Sequence, residues 1–183
     1  SFGQDDADYE FVELYNNSFD SLNLFNWEFS SEGGVSFIFP DYTLPPNSYI
    51  VLARNAETFP GSFDYGDVML NNNGERLTLT DSNEQVVDIV IYSDGFQGEN
   101  DFWPQGADAE GATLELKSPD FDNSLSLSWQ ASYIIPGGTP GAENSSFGCV
   151  DVEACNYNPN VSVPCDDCCD YPEENFDCDG NCL

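Results

Sequence analysis

Every cysteine of this 183-residue chain lies between Cys149 and Cys182: Cys149, Cys155, Cys165, Cys168, Cys169, Cys178 and Cys182. Thiols packed this densely either pair as disulfides in an oxidising compartment or hold zinc as thiolates. Cys165-Asp166-Asp167-Cys168 and the stretch from Cys178 to Cys182 have spacings open to a four-thiolate zinc site. No lysine or arginine lies in this tail to favour thiolates, so disulfides are the expected outcome. Seven is an odd number, which implies a free thiol, an intermolecular bond, or a partner outside this stretch. Asp177-Cys178-Asp179-Gly180-Asn181 sets oxygen ligands at alternate positions around a glycine turn. Hard oxygens at that spacing suit calcium, with Asp166, Asp167 or Asp170 as further ligands. A solvated acidic turn is the alternative.

The charge balance bounds what the chain can touch. It carries 34 Asp and Glu against 3 Lys and Arg, with no histidine, for a net charge of −31. The bases are Arg54, Arg76 and Lys117. Phosphate backbones and anionic lipid surfaces are both gripped by clustered Lys and Arg, so neither nucleic acid nor a membrane surface is an expected partner. No run approaches the roughly 20 apolar residues that span a bilayer, so direct membrane insertion is not expected. The absence of histidine removes the usual general base and the Ser/His and Cys/His pairs, and no Gly-rich phosphate loop is present. Catalysis is therefore not expected. Arg76 should pair with an acid such as Glu13 or Glu75. Trp103, in Phe102-Trp103-Pro104 beside a Gly-rich loop, is the candidate for a ligand-facing aromatic on which a sugar could stack. Asn16-Asn17-Ser18, Asn144-Ser145-Ser146 and Asn160-Val161-Ser162 match the glycosylation sequon.

Short β-rich runs must position these groups. Residues 9–15 alternate in the manner of a half-buried strand. Similar runs follow at Leu24–Phe29, Ser36–Phe39, Tyr49–Ala53, Arg76–Thr80, Val86–Tyr92 and Thr113–Leu116. Turn formers separate them: Glu32-Gly33-Gly34, Leu44-Pro45-Pro46-Asn47, Asn71-Asn72-Asn73-Gly74 and Asp81-Ser82-Asn83. Asp81 to Gln85 should close a hairpin. Many short strands with regular turns predict an all-β, antiparallel sandwich or barrel. Apolar content falls after Ser145–Gly148, which divides a sandwich over 1–146 from a Cys- and Asp-rich module over 147–183. A module of that size needs crosslinks or metal to stay folded.

Several segments, in order, resemble one family: Glu10-Phe11-Val12-Glu13-Leu14-Tyr15-Asn16, residues 23–29, residues 44–53, residues 70–81, Val86-Val87-Asp88, and Gly138-Thr139-Pro140-Gly141-Ala142-Glu143-Asn144. The chain from about Asp8 to Asn144 is similar to bacterial lamin-tail domains. The resemblance implies an immunoglobulin-like β-sandwich, with Trp27 and Trp129 in core segments. Family members usually open with an apolar strand that is missing here, so that strand is expected upstream or from a neighbouring chain. Residues 148–159, 169–172 and 177–183 resemble a "GCTDPxACNYNP…DCDGNCL" module of large bacterial surface proteins, often exported by a type IX route. The extra Cys165 and Cys168 depart from that pattern, so the resemblance gives no pairing.

The function these features imply is a structural or adhesive module of a secreted or cell-surface Gram-negative bacterial protein, stabilised by calcium. Its partners would be other domains of a longer chain, neighbouring surface proteins or a polysaccharide. The alternatives are an accessory domain of a larger extracellular enzyme and a fibre subunit assembled by strand addition.

Overall fold

The computed structural model describes residues 6–107 and 111–181. Two sheets face each other. One has the order β1-β6-β7, from β1 (Phe11–Tyr15), β6 (Tyr49–Ala53) and β7 (Phe63–Asp64). The other has the order β4-β3-β8-β9, from β3 (Glu28–Ser31), β4 (Ser36–Ile38), β8 (Arg76–Thr80) and β9 (Val86–Ile91). Alternation decides which side chains meet between them. Val12 and Leu14 of β1, Leu52 of β6, Phe29 of β3, Phe37 of β4, and Leu77 and Leu79 of β8 all point inward. Leu24, Val35 and Phe39 complete a core in which each fully buried side chain contributes about 1.5–3 kcal/mol. This is the immunoglobulin-like sandwich expected from the sequence.

Three two-stranded pairs flank it: β2 (Leu22–Asn23) with β5 (Thr43–Leu44), β10 (Leu114–Leu116) with β11 (Trp129–Ala131), and β12 (Phe147–Cys149) with β13 (Val163–Cys165). The pairings are antiparallel except β6–β7 and β12–β13, which are parallel. β1 pairs only with β6, so its other edge carries no strand among the described residues.

The run Leu24–Phe29 is not one strand. Asn26 sits at φ 60°, and the Trp27 N–H donates to the Leu24 carbonyl at 2.9 Å, closing a turn between β2 and β3. Asparagine tolerates that left-handed geometry, which outweighs the β-forming character of its neighbours. The β8–β9 hairpin closes where expected, because Asp81 Oδ1 accepts from the Asn83 and Gln85 N–H groups at 2.8 and 2.9 Å. Those bonds hold the Asp81 carboxyl below its usual range.

β12 carries the cysteine-rich tail against the sandwich. The Phe147 ring stacks on Tyr133 with centroids 5.5 Å apart. Further contact comes from Ser162 and Ser146, which exchange hydrogen bonds of 3.2–3.3 Å. Among the described residues no helix is long and apolar enough to cross a membrane.

Candidate functional site

A concavity of about 750 Å³ lies at the end of the β8–β9 hairpin. One wall is the turn 71–75. Gly74 takes φ +112° there, and a Cβ on it would stand 2.2 Å from the Tyr92 carbonyl oxygen, so only glycine lets the turn press onto Tyr92. The Tyr92 hydroxyl donates to the Asn71 carbonyl at 2.8 Å and locks the same turn. Burial among Glu75 and Glu10 pushes that phenol well above its ordinary range.

The opposite wall is the loop 93–103, organised around Asp101. Its Oδ2 accepts from the Ser93 hydroxyl and from the Gln97 N–H at 2.9 Å, and its Oδ1 from the Trp103 N–H at 3.3 Å. The Ser93 and Gln97 bonds lead in holding the Asp101 carboxyl below its usual range, so it is ionised and spent on the loop. Gln105 donates to the Gly95 carbonyl at 2.7 Å and ties the loop's base. The loop presents Phe102, which is exposed, and Trp103, which is half-buried. Trp103 lines the groove and leans on Trp129, ring centroids 5.7 Å apart. Trp129 in turn donates from Nε1 to the Asn123 carbonyl at 2.8 Å, while Trp27 packs against the core.

Arg76 lines the same groove. The expected ion pair with Glu13 or Glu75 is absent, because both carboxylates are committed to backbone N–H groups. Glu75, 7% exposed, accepts from Gly33 and from Asn71 at 2.7 Å. Glu13 accepts from the Gly141 N–H. Arg54 donates to the Asp67 carbonyl and Lys117 to the Leu127 carbonyl, at 3.1 and 2.8 Å. Among the described residues Arg76 is thus the one base whose donors take no protein partner.

A second set of carboxylates holds the segment 138–145. The Gly141 bond places Glu13 beside Glu115, which is buried and accepts from Thr139, from the Ser145 N–H at 2.9 Å and from the Ser145 hydroxyl. Burial, reinforced by the Glu115 charge and opposed by the Gly141 bond, pushes the Glu13 carboxyl up to about 7.

In the tail, Cys149 pairs with Cys169 and Cys155 with Cys178 as disulfides, and the Cys165 and Cys168 sulfurs are brought together. Cys182 lies outside the described residues. Of the proposed calcium ligands, Asp177 and Asn181 meet: Asp177 Oδ1 accepts from the Asn181 N–H at 2.7 Å and the Asp179 N–H at 3.0 Å. The Asn181 side-chain amide also bonds this carboxylate, and together these bonds hold Asp177 below its usual range. Asp170 points its main chain at Cys155 and Asn156, and Asp167 is exposed. Among the described residues no three His, Cys, Asp or Glu side chains converge at metal-binding distance. Two sequons are structural. The Asn16 amide, 2% exposed, donates to the carbonyls of Asp20, Leu44 and Pro45 at 2.9–3.1 Å, and Asn144 donates to Leu116 at 2.9 Å. Asn160 is exposed.

Sequence reasoning named Trp103 beside the Gly-rich loop but missed the groove around it, because the loop's fold depends on Asp101 bonds between residues several positions apart.

A search of curated proteins finds no match. The Lamin Tail Domain family matches residues 2–94, which stops short of the Gly138–Asn144 segment that Glu13 and Glu115 fasten to the sandwich. The match covers half of the chain and its strands build an immunoglobulin-like sandwich, so the chain belongs to the lamin tail domain family.

Proposed function

We propose that the chain is a non-catalytic, adhesive display module of a secreted or cell-surface bacterial protein. The observation that carries this reading is the joining of a sandwich from a non-catalytic domain family to a tail crosslinked by disulfides. Disulfides at that density belong to oxidising, extracellular space. The sandwich presents surfaces, and the crosslinked tail acts as a spacer that resists proteolysis where a small core cannot. Its resemblance to repeated surface-protein modules supports the Gram-negative surface and type IX export. Calcium is the cation expected at the ionised Asp177–Asn181 turn, where an ion would displace the Asn181 amide bonds.

Antibody against the sandwich should label intact parent cells, and protease treatment of those cells should remove the label. Label that appears only after lysis sinks the reading. A second reading, assembly by strand addition, is favoured by the unpaired edge of β1. It requires concentration-dependent oligomers that a Glu13→Pro change in β1 abolishes.

A further inference from the structure

We propose that the groove between the turn 71–75 and the loop 93–103 binds a neutral polysaccharide, with Arg76 as the hydrogen-bonding anchor and Trp103 with Phe102 as the stacking face. The proposal rests on the adhesive reading and names its ligand class, but the two can fail separately.

Four observations converge. The first is size: about 750 Å³ falls within the roughly 300–1,000 Å³ of ligand clefts and admits several sugar units along an open trough. The second is pre-organisation. Both walls are fixed internally, by Gly74 against Tyr92 on one side and by the Asp101 bonds on the other, so little order is lost when a ligand enters.

The third is the guanidinium. In a chain with 34 acids, the five donors of Arg76 take no partner among the described residues, while the other two bases are bonded to carbonyls. A fork of donors with no acceptor suits vicinal hydroxyls, which also donate back to carboxylates and amide oxygens. Glu32, Glu99, Gln97 and Asn100 line the same trough and supply those acceptors. The fourth is the aromatic pair. Phe102 and Trp103 sit beside these polar groups, and the apolar C–H face of a pyranose packs on such rings.

The charge selects within the sugars. Glu32, Glu99 and the ionised Asp101 line the trough together with the single Arg76, and the whole chain carries −31. A polyuronate brings a repelled charge on each residue, and that repulsion acts within the roughly 8 Å Debye length of physiological salt. A neutral chain meets no such barrier.

The test is affinity electrophoresis of the intact, oxidised chain in gels cast with mixed-linkage β-glucan, xylan or galactomannan, with alginate as the anionic comparator. Retardation is expected in at least one neutral gel and not in alginate. Arg76 is exposed on a strand, so Arg76→Ala should fold normally and weaken retardation at least tenfold. Trp103→Ala should abolish it, with circular dichroism showing that the sandwich persists despite the lost contact with Trp129. Three results would each overturn the proposal: no retardation by any neutral polysaccharide, retardation unchanged in Arg76→Ala, or alginate retarding as strongly as the neutral glycans. Cell-surface labelling would still decide the display reading on its own.

Discussion

Glu75 fastens two loops with one buried carboxylate. Its oxygens accept from the Gly33 and Asn71 N–H groups. Removing the carboxylate strands both donors, and bonds to charged groups are worth about 1.5–3 kcal/mol each. Glu75→Ala should therefore lower stability by about 3 kcal/mol, read as a drop in urea midpoint with unchanged slope. Glu75→Gln keeps one acceptor and should fall between. Glu13 behaves differently because its carboxyl is raised from 4.5 to about 7. The fold favours its protonated form, so its contribution is fully present below pH 4.5 and is lost as pH rises through about 7. Glu13→Gln fixes the neutral state and keeps an acceptor for Gly141. At pH 5 the variant and the parent should melt alike. At pH 8 the variant should be more stable by about 1 kcal/mol, a value discounted for the group's partial exposure to solvent. Equal melting at both pH values would show that Glu13 is solvated. None of this was legible in the sequence, where every glutamate in so acidic a chain looks alike.

At the level of elements, legibility followed the source of each strand's stability. Tyr49–Ala53 and Arg76–Thr80 have the ends expected: the first is a continuous apolar run buried on both faces, and the second alternates polar and apolar residues over five positions. The pairs β2–β5 and β6–β7 are two residues long, too short for any period, and exist because neighbours already placed them. The β12–β13 pair was hidden for a related reason. Its parallel register sets Cys149 opposite Cys165, and the Cys149–Cys169 and Cys155–Cys178 crosslinks join residues 20 and 23 apart in sequence. The Cys149–Cys169 bridge spans 20 residues, and closing a loop of that length is worth about 3 kcal/mol. Replacing both cysteines with serine should leave exchange protection in β6 and β8 intact. Protection at Val163 and Asn158, whose N–H groups bond across this module, should fall by about a hundredfold. Loss of protection in β6 as well would mean that the tail and sandwich unfold as one unit.

The whole molecule carries its −31 charge on a sandwich and tail that contain few compensating bases, so self-repulsion is built into the folded state. Two effects of added cation follow, and they separate cleanly. Screening depends on ionic strength alone and treats sodium, magnesium and calcium according to their charge. A bound calcium at Asp177 depends on occupancy and saturates, adding about 2.7 kcal/mol once the ion stands at a hundred times its Kd. At matched ionic strength, oxidised protein in calcium should melt higher than in sodium or magnesium. Calcium should also move the amide resonances of Asp177, Asp179 and Asn181, whose N–H groups and carboxylate form this turn. Asp177→Asn should erase the calcium-specific increment and those resonance shifts while keeping the general rise with salt. If sodium, magnesium and calcium act equally at matched ionic strength, and Asp177→Asn changes nothing, the turn is held by its own hydrogen bonds. The acidity then works through long-range repulsion between copies, and the disulfides with the β12–β13 pairing hold the tail.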